Sequence, residues 1–273
     1  MSRYDNAFSA VRKQNRIAFV PFAVAGDPDL RTSEKILRAY LSAGADILEI
    51  GYPFSDPMAD GPVNQRAAQR AIASGITPAR FFAMIRRLRA ATDAPFGLLL
   101  YANTMHHLGC EAFCAAAADA GIDSLLVADM PPEESRDLLK AMRKHGLASV
   151  FIVSELTPPE RIRFICRQTS AFVYVVSRLG TTGVHRDFST SVRQTIRRLR
   201  GLTSLPLCVG FGLSSPRHVA EVRDAGADGA IVGSRLVSIV EKEHAHTGAM
   251  LAAIGRAVRR FRKATICPSG RRR

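Results

Sequence analysis

One phrase occurs three times along this chain: A-G-A-D-I-L-E-I at 43–50, A-G-I-D-S-L-L-V at 120–127 and A-G-A-D-G-A-I-V at 225–232. In each copy the glycine suits the left-handed residue that ends a helix, and the acid opens a turn into a short buried strand. A chain that repeats a helix exit followed by an apolar strand is built from strand–helix units, which assemble into a parallel sheet. Candidate strands lie at about 17–24, 46–50, 96–101, 123–128, 149–153, 171–177, 206–210 and 228–232. Helical periodicity fills the gaps: Ile36, Leu37, Tyr40 and Leu41 share one face, and Phe81, Ile85 and Leu88 share another. Further helices are expected at about 111–120, 133–145, 158–168, 189–200, 215–225 and 247–263, with an extra one near the N-terminus.

Eight strands alternating with eight helices predict an α/β fold, a (β/α)8 TIM barrel with an extra N-terminal helix; an open doubly wound sheet is the alternative. The 273 residues suit one such barrel, expected over 1–263, and no linker or composition break marks a second domain. Residues 264–273 are expected to form a basic, mobile C-terminal tail. The composition, 47% hydrophobic and 23% charged, is globular, and no apolar run is long enough to span a membrane. The first residues lack the apolar core of a leader, and five cysteines without framework spacing fit a reducing compartment, so a cytoplasmic location is expected.

Lys and Arg outnumber Asp and Glu by 38 to 24, a net charge of +14. The arginines are spread over several helix-like segments between apolar positions, the pattern of solvated helix faces. No aromatic cluster accompanies them, which argues against a specific nucleic-acid surface. His106, His107, Cys110 and Cys114 do not match a common zinc spacing, and no metal is expected.

In a barrel the chemistry sits at the C-terminal ends of the strands. Glu49 lies there, in an apolar strand where a carboxylate has no local reason to be; such groups are costly unless paired or protonated. Asp60 follows a stretch broken by Pro53, Pro57, Gly61 and Pro62, a stiff irregular loop that can carry it back over the strand end. Two carboxylates then face one pocket. After the seventh and eighth strands come Gly210-Phe211-Gly212 and Gly233-Ser234, where glycines admit an anion to the backbone N–H groups; Gly212, Gly233 and Ser234 read as a phosphate site. The segment 177–190, hinged by Gly180 and Gly183, reads as a lid. Tyr174 on the sixth strand is either core packing or an inward neighbour of Glu49.

The run L-E-I-G-Y-P-F-S-D-P-M-A-D-G-P at 48–62 resembles the signature of the tryptophan synthase α-subunit family. The likeness continues in F-V-P-F-A-V-A-G-D-P-D (19–29), V-A-D-M-P-P-E-E (127–134), Y-V-V-S-R-L-G-T-T-G (174–183), V-G-F-G-L-S-S-P (209–216) and G-A-I-V-G-S (229–234). That resemblance implies a barrel lyase that cleaves indole-3-glycerol phosphate to indole and glyceraldehyde 3-phosphate. It implies no cofactor in this chain, and a pyridoxal-phosphate β subunit as partner in an α2β2 complex. By matching position, Glu49 becomes the acid and base, and Asp60 the carboxylate facing the indole N–H. Thr182 becomes a lid threonine, and Gly183 joins Gly212, Gly233 and Ser234 around the phosphate. Phe22, Leu99, Leu126, Tyr174 and Phe211 become the indole pocket. The catalytic positions alone leave a free-standing lyase open, and a basic binding barrel is a third reading.

Overall fold

The computed structural model describes residues 1–106, 108–176, 188–210 and 212–268. Nine strand segments, β1 (Ala18–Val24), β2 (Leu48–Gly51), β3 (Phe96–Leu100), β4 (Ser124–Val127), β5 (Ala148–Ser149), β6 (Phe151–Ser154), β7 (Val173–Val176), β8 (Leu207–Gly210) and β9 (Gly229–Val232), are joined in the order β5-β4-β3-β2-β1-β9-β8-β7-β6. Every pairing among them is parallel. The two ends of that order, β5 and β6, are separated only by Val150, whose N–H still reaches the Leu125 carbonyl at 3.1 Å. They are therefore one interrupted pass of chain, and eight passes make a nearly closed barrel, the architecture expected from the repeat.

Twelve helices are described: α1 (Arg3–Lys13), α2 (Leu30–Ser42), α3 (Pro62–Ala73), α4 (Pro78–Arg89), α5 (Ala102–His106), α6 (Cys110–Ala120), α7 (Arg136–Lys144), α8 (Pro159–Gln168), α9 (Phe188–Arg200), α10 (Pro216–Asp224), α11 (Ser234–Glu243) and α12 (Thr247–Ala264). Three of them, α3, α5 and α11, were not predicted from periodicity. The buried residues of α3 are alanines, Ala67, Ala68 and Ala71, which mark an apolar face only weakly. Pro62, read as part of an irregular loop, is instead the first helical residue, where its missing N–H costs nothing. α5 is one short turn, and α11 starts directly after β9 with no intervening loop to announce it.

The largest apolar cluster lies between sheet and helices and includes Phe19, Leu48, Ile50, Phe81, Phe96 and Phe113. Alternate strand positions point the other way, and Val20, Ile47, Leu126, Tyr174 and Ile231 fill the barrel interior. Helix α1 closes the N-terminal end: Tyr4 and Phe8 pack on Phe172, and the Tyr4 hydroxyl meets Ser124 Oγ at 2.7 Å.

The thrice-repeated acid has a structural task beyond opening a turn. Asp46, Asp123 and Asp228 each accept an N–H from the first or second residue of a neighbouring strand, from Phe19 at 2.8 Å, Phe96 at 2.7 Å and Leu207 at 2.9 Å. Each also holds an arginine: Arg16 at 2.6 and 2.7 Å, Arg89 at 2.7 Å, and Arg200. Three of the arginines thus fasten the N-terminal end of the barrel. At the interrupted pass the same place is filled by neutral groups, with Ser170 Oγ accepting the Ser149 N–H at 2.9 Å.

The first residues of the stretch expected as a tail, Thr265 to Cys267, are paired with the barrel. The Ile17 N–H bonds to the Thr265 carbonyl at 3.1 Å, Ile266 forms an antiparallel bridge with Arg16, and the Cys267 N–H reaches the Asn15 carbonyl at 2.9 Å. Arg223 Nη1 donates to the Ala264 and Ile266 carbonyls at 2.9 and 2.6 Å. Basic composition made this stretch look free, but its backbone is paired through Cys267. Residues 269–273 lie outside the described part. Among the described residues no helix is long and apolar enough to cross a membrane.

Candidate active site

Glu49 stands opposite Phe22 of β1 and Gly97 of β3 in the strand register, with its side chain inside the barrel and 6% exposed. Its pKa is pushed up to about 8, first by burial and then by the negative charge of Asp60. At neutral pH it is a protonated acid within a dry wall.

Asp60 is held by its own loop and by two neighbours. Its N–H bonds to the Pro57 carbonyl at 3.0 Å, completing a turn. The Tyr101 hydroxyl, at the end of β3, accepts from the Ala59 N–H at 3.1 Å and donates to Asp60 Oδ2 at 2.9 Å. Asn64 Nδ2, on the first turn of α3, donates to Asp60 Oδ1 at 3.1 Å. Phe54 stacks on the Tyr101 ring at 5.2 Å and steadies that anchor. Burial and the Asp60 charge both raise the Tyr101 pKa, so the hydroxyl stays a donor.

Helix α3 is itself fixed. Arg70 makes a two-pronged bond to the buried Asp27, at 2.7 and 2.9 Å, and also reaches Glu241 of α11 at 3.2 Å; Arg66 pairs with Glu241 at 2.6 Å. Burial pushes the Asp27 carboxyl up more strongly than Arg70 pulls it down. The pair therefore matters more for orientation than for net stability.

A cavity of about 140 Å³ lies between these groups, lined by Phe22, Glu49, Asp60, Gly61, Asn64, Leu99, Tyr174, Gly212, Leu213, Ile231, Gly233 and Ser234. Two carboxyl groups stand on one part of its wall, apolar side chains on another, and Gly212 and the start of α11 complete it. Gly212 has a φ of 77°, a conformation that favours glycine, and Gly233 caps α11 from a residue with no side chain. Gly210 is required by packing: a Cβ there would fall 2.3 Å from the Tyr174 hydroxyl. Tyr174 is buried, and its pKa is raised well above the ordinary value by burial and then by the Glu49 and Asp60 charges.

Of the residues expected at the site, the cavity brings together Glu49, Asp60, Phe22, Leu99, Tyr174, Gly212, Gly233 and Ser234. Leu126 is not on its wall. It belongs to the interior cluster with Tyr174 and lines a different cleft beside Pro131 and Arg161. Thr182, Gly183 and Phe211 lie outside the described residues. Gly61, Asn64, Leu213 and Ile231 were not predicted. Asn64 was findable once Pro62 is read as a helix start, since it then falls one turn beyond Asp60. Ile231 follows from strand alternation, two residues before Gly233.

Such a site can deliver a proton from a buried carboxylic acid to a weakly basic atom. It can face a developing positive charge with a second carboxylate, and hold an anion at glycines beside a helix N-terminus. A family profile described as tryptophan synthase alpha chain matches residues 8–266. The tryptophan synthase alpha chain of Methanoregula boonei is 44% identical over 264 residues, covering 97% of this chain and 98% of that one. The crystal structure of tryptophan synthase subunit alpha from Legionella pneumophila superposes with a TM-score of 0.89 at 31% identity, over 97% of this chain and 98% of that chain. A chain of the tryptophan synthase complex from Pyrococcus furiosus gives 0.81 at 29% identity, over 90% and 98%.

Proposed function

This chain belongs to the tryptophan synthase alpha chain family, and from that premise we propose that Glu49 and Asp60 carry its chemistry. The reaction is the cleavage of indole-3-glycerol phosphate to indole and glyceraldehyde 3-phosphate, a carbon–carbon lyase step in tryptophan biosynthesis. The indole goes to a tryptophan synthase β subunit in an α2β2 assembly. A cytoplasmic location suits this biosynthetic step.

The aryl carbon that leaves is a poor carbanion, so C3 of the indole must be protonated before the bond breaks. Glu49, protonated at neutral pH by burial, supplies that proton. Positive charge then develops on the ring nitrogen, and the Asp60 carboxylate takes the N–H in a hydrogen bond that strengthens as the charge grows. As the C–C bond breaks, the Glu49 carboxylate just formed removes the proton of the adjacent glycerol hydroxyl, leaving an aldehyde and restoring the acid. The C–C bond breaks with its electron pair returning to the protonated ring, so the proton transfers of Glu49 drive the cleavage without a resident cofactor; pyridoxal phosphate belongs to the β partner. Gly212, Gly233 and Ser234, with Gly183, hold the phosphate, and Phe22, Leu99, Tyr174 and Phe211 enclose the ring. Thr182 steadies Asp60 when the lid closes.

The observation that carries this reading is the shared cavity: a buried, raised-pKa Glu49 and a doubly anchored Asp60 line it together with Gly212, Gly233 and Ser234. Glu49→Gln and Asp60→Asn should each lower indole release by at least ~10²-fold with a much smaller change in substrate affinity. Near-normal turnover by Glu49→Gln removes it from the role. Adding the β subunit from the same source should accelerate the isolated chain. If the chain alone is already fast and the addition changes nothing, it works as a free-standing lyase.

A further inference from the structure

Asp60 and the glycines beside it belong to two helices that both start at the cavity. Gly61 precedes α3, Gly233 precedes α11, and both glycines line the cavity wall. Asp60 moves with α3, because the first turn of that helix holds it twice. Asn64 Nδ2 donates to its carboxylate at 3.1 Å, and Gln65 Nε2 donates to its carbonyl at 3.0 Å. Gly233 and Ser234 move with α11. Between the two helices, Ala67, Ala68 and Ala71 share a small apolar cluster with Val237, Phe22 and Val24. Alanine ridges are shallow, so such packing brings the helices close yet resists sliding only weakly.

Glu241, about two turns along α11 from Ser234, resists that sliding. Arg66 grips it with Nε at 2.6 Å and Nη2 at 3.0 Å, and Arg70 reaches it at 3.2 Å. Among the described residues, the hydrogen bonds between α3 and α11 all end on this carboxylate. Arg70 continues the chain to the buried Asp27 after β1, at 2.7 and 2.9 Å. Two-pronged contacts between arginine and carboxylate fix direction as well as distance. Arg66 first, and then Arg70, hold the Glu241 carboxyl down at about 2, so the clamp is charged at neutral pH.

We propose that Glu241 is a positioning residue: its clamp on Arg66 and Arg70 sets the spacing between Asp60 and the phosphate site, and so selects substrates by the length of the linker between ring and phosphate. The proposal rests on the lyase reading above, in which the two ends of one substrate lie at the two helix starts. Glu241 is not on the cavity wall and touches neither end. Its effect reaches the chemistry through placement alone. With the phosphate seated on α11, an axial shift of α3 carries Asp60 away from the ring nitrogen, and a misplacement of about 1 Å is enough to slow turnover strongly.

The test uses three unreactive ligands, 2-(indol-3-yl)ethyl, 3-(indol-3-yl)propyl and 4-(indol-3-yl)butyl phosphate, of which the propyl compound matches the linker of indole-3-glycerol phosphate. Equilibrium binding of each is measured in wild type, Glu241→Gln, Arg66→Met and Glu34→Gln, together with kcat and KM for indole-3-glycerol phosphate. Glu34 is the matched control: it takes Arg38 and Arg87 in the same manner and ties α2 to α4, neither of which lines the cavity. Wild type should favour the propyl ligand, and Glu241→Gln should lose about 3–5-fold of that preference, the worth of a partly exposed ion pair. Its kcat should fall by more than KM rises, and its affinity for inorganic phosphate should not change. Arg66→Met should show a smaller loss of the same kind, and adding it to Glu241→Gln should bring no further loss, since both act through one contact. Glu34→Gln should keep the full preference and the wild-type kcat. If Glu241→Gln keeps the wild-type preference, if Glu34→Gln loses as much of it, or if wild type has none, the proposal is overturned. Should Glu241→Gln not fold, Arg66→Met, whose half-exposed side chain bonds to Glu241, decides by the same criterion. A wild-type chain that cleaves no indole-3-glycerol phosphate refutes the lyase reading itself, which the kinetic arm detects separately from the binding arm.

Discussion

Glu49→Gln should make the protein inactive and more stable at once, with a gain that depends on pH in a defined way. The Glu49 carboxyl goes from the ordinary value of 4.5 to about 8 in the folded chain. The folded state therefore binds this proton more tightly than the unfolded state does. The stabilisation that proton brings is whole below about pH 4.5, is lost progressively as pH rises towards 8, and is flat beyond it. At about 1.36 kcal/mol per pH unit, Glu49 costs on the order of 3 kcal/mol at pH 7 and under about 1 kcal/mol at pH 5. Glutamine keeps the shape and cannot ionise, so it escapes that cost. Urea unfolding of both proteins at pH 5, 6 and 7 gives the difference directly. The advantage of Glu49→Gln should grow by about 2–3 kcal/mol across that range. Because burial is the larger cause and the Asp60 charge the smaller, Asp60→Asn should shrink the pH dependence without removing it. A pH-independent difference, or a glutamine variant less stable at pH 7, refutes the argument that Glu49 is held as a neutral acid.

Two further outcomes are expected. Alanine at Gly212 (φ 77°) or at Gly233, where a Cβ would lie 3.3 Å from the Phe22 ring, should raise KM for the phosphorylated substrate, while binding of a dephosphorylated analogue, weak in wild type, stays nearly unchanged; steady-state kinetics and titration separate the two. A chain ending at Pro268 should match the full protein in activity and thermal midpoint, whereas one ending at Lys263 should lose about 3–4 kcal/mol, since the bonds of Thr265, Ile266 and Cys267 to the barrel go with it; equal midpoints for both would contradict the pairing seen at Asn15 and Arg223.

The barrel was legible because its signals are local and repeated: an αL glycine, an acid, then an apolar strand, at 43–50, 120–127 and 225–232. Glu49 was legible for the opposite reason, as the residue that broke the apolar pattern around it. What stayed hidden depends on contacts across the chain. Helix α3 packs through alanines, so nothing in its periodicity placed Asn64 beside Asp60. Leu126 and Leu99 are both inside the barrel, but sequence cannot say which of two inward leucines reaches the cavity and which borders the next cleft. The residues after Ala264 looked free because charge is visible in sequence and backbone pairing with Asn15 is not.

The aspartates at the N-terminal end of the barrel bear on the chemistry at the other end. Parallel strands buried on both faces are apolar throughout, so burial alone hardly distinguishes two alignments that differ by a pair of residues. Asp46 does distinguish them, because its carboxylate matches a single N–H, that of Phe19. A slip of two residues between β1 and β2 would break that match and carry Glu49 about 6.6 Å along the barrel axis, away from its place opposite Phe22. The aspartate at the base of β2 is thus an alignment pin, and the depth at which the acid meets its substrate is gauged from the end of the molecule where no reaction occurs.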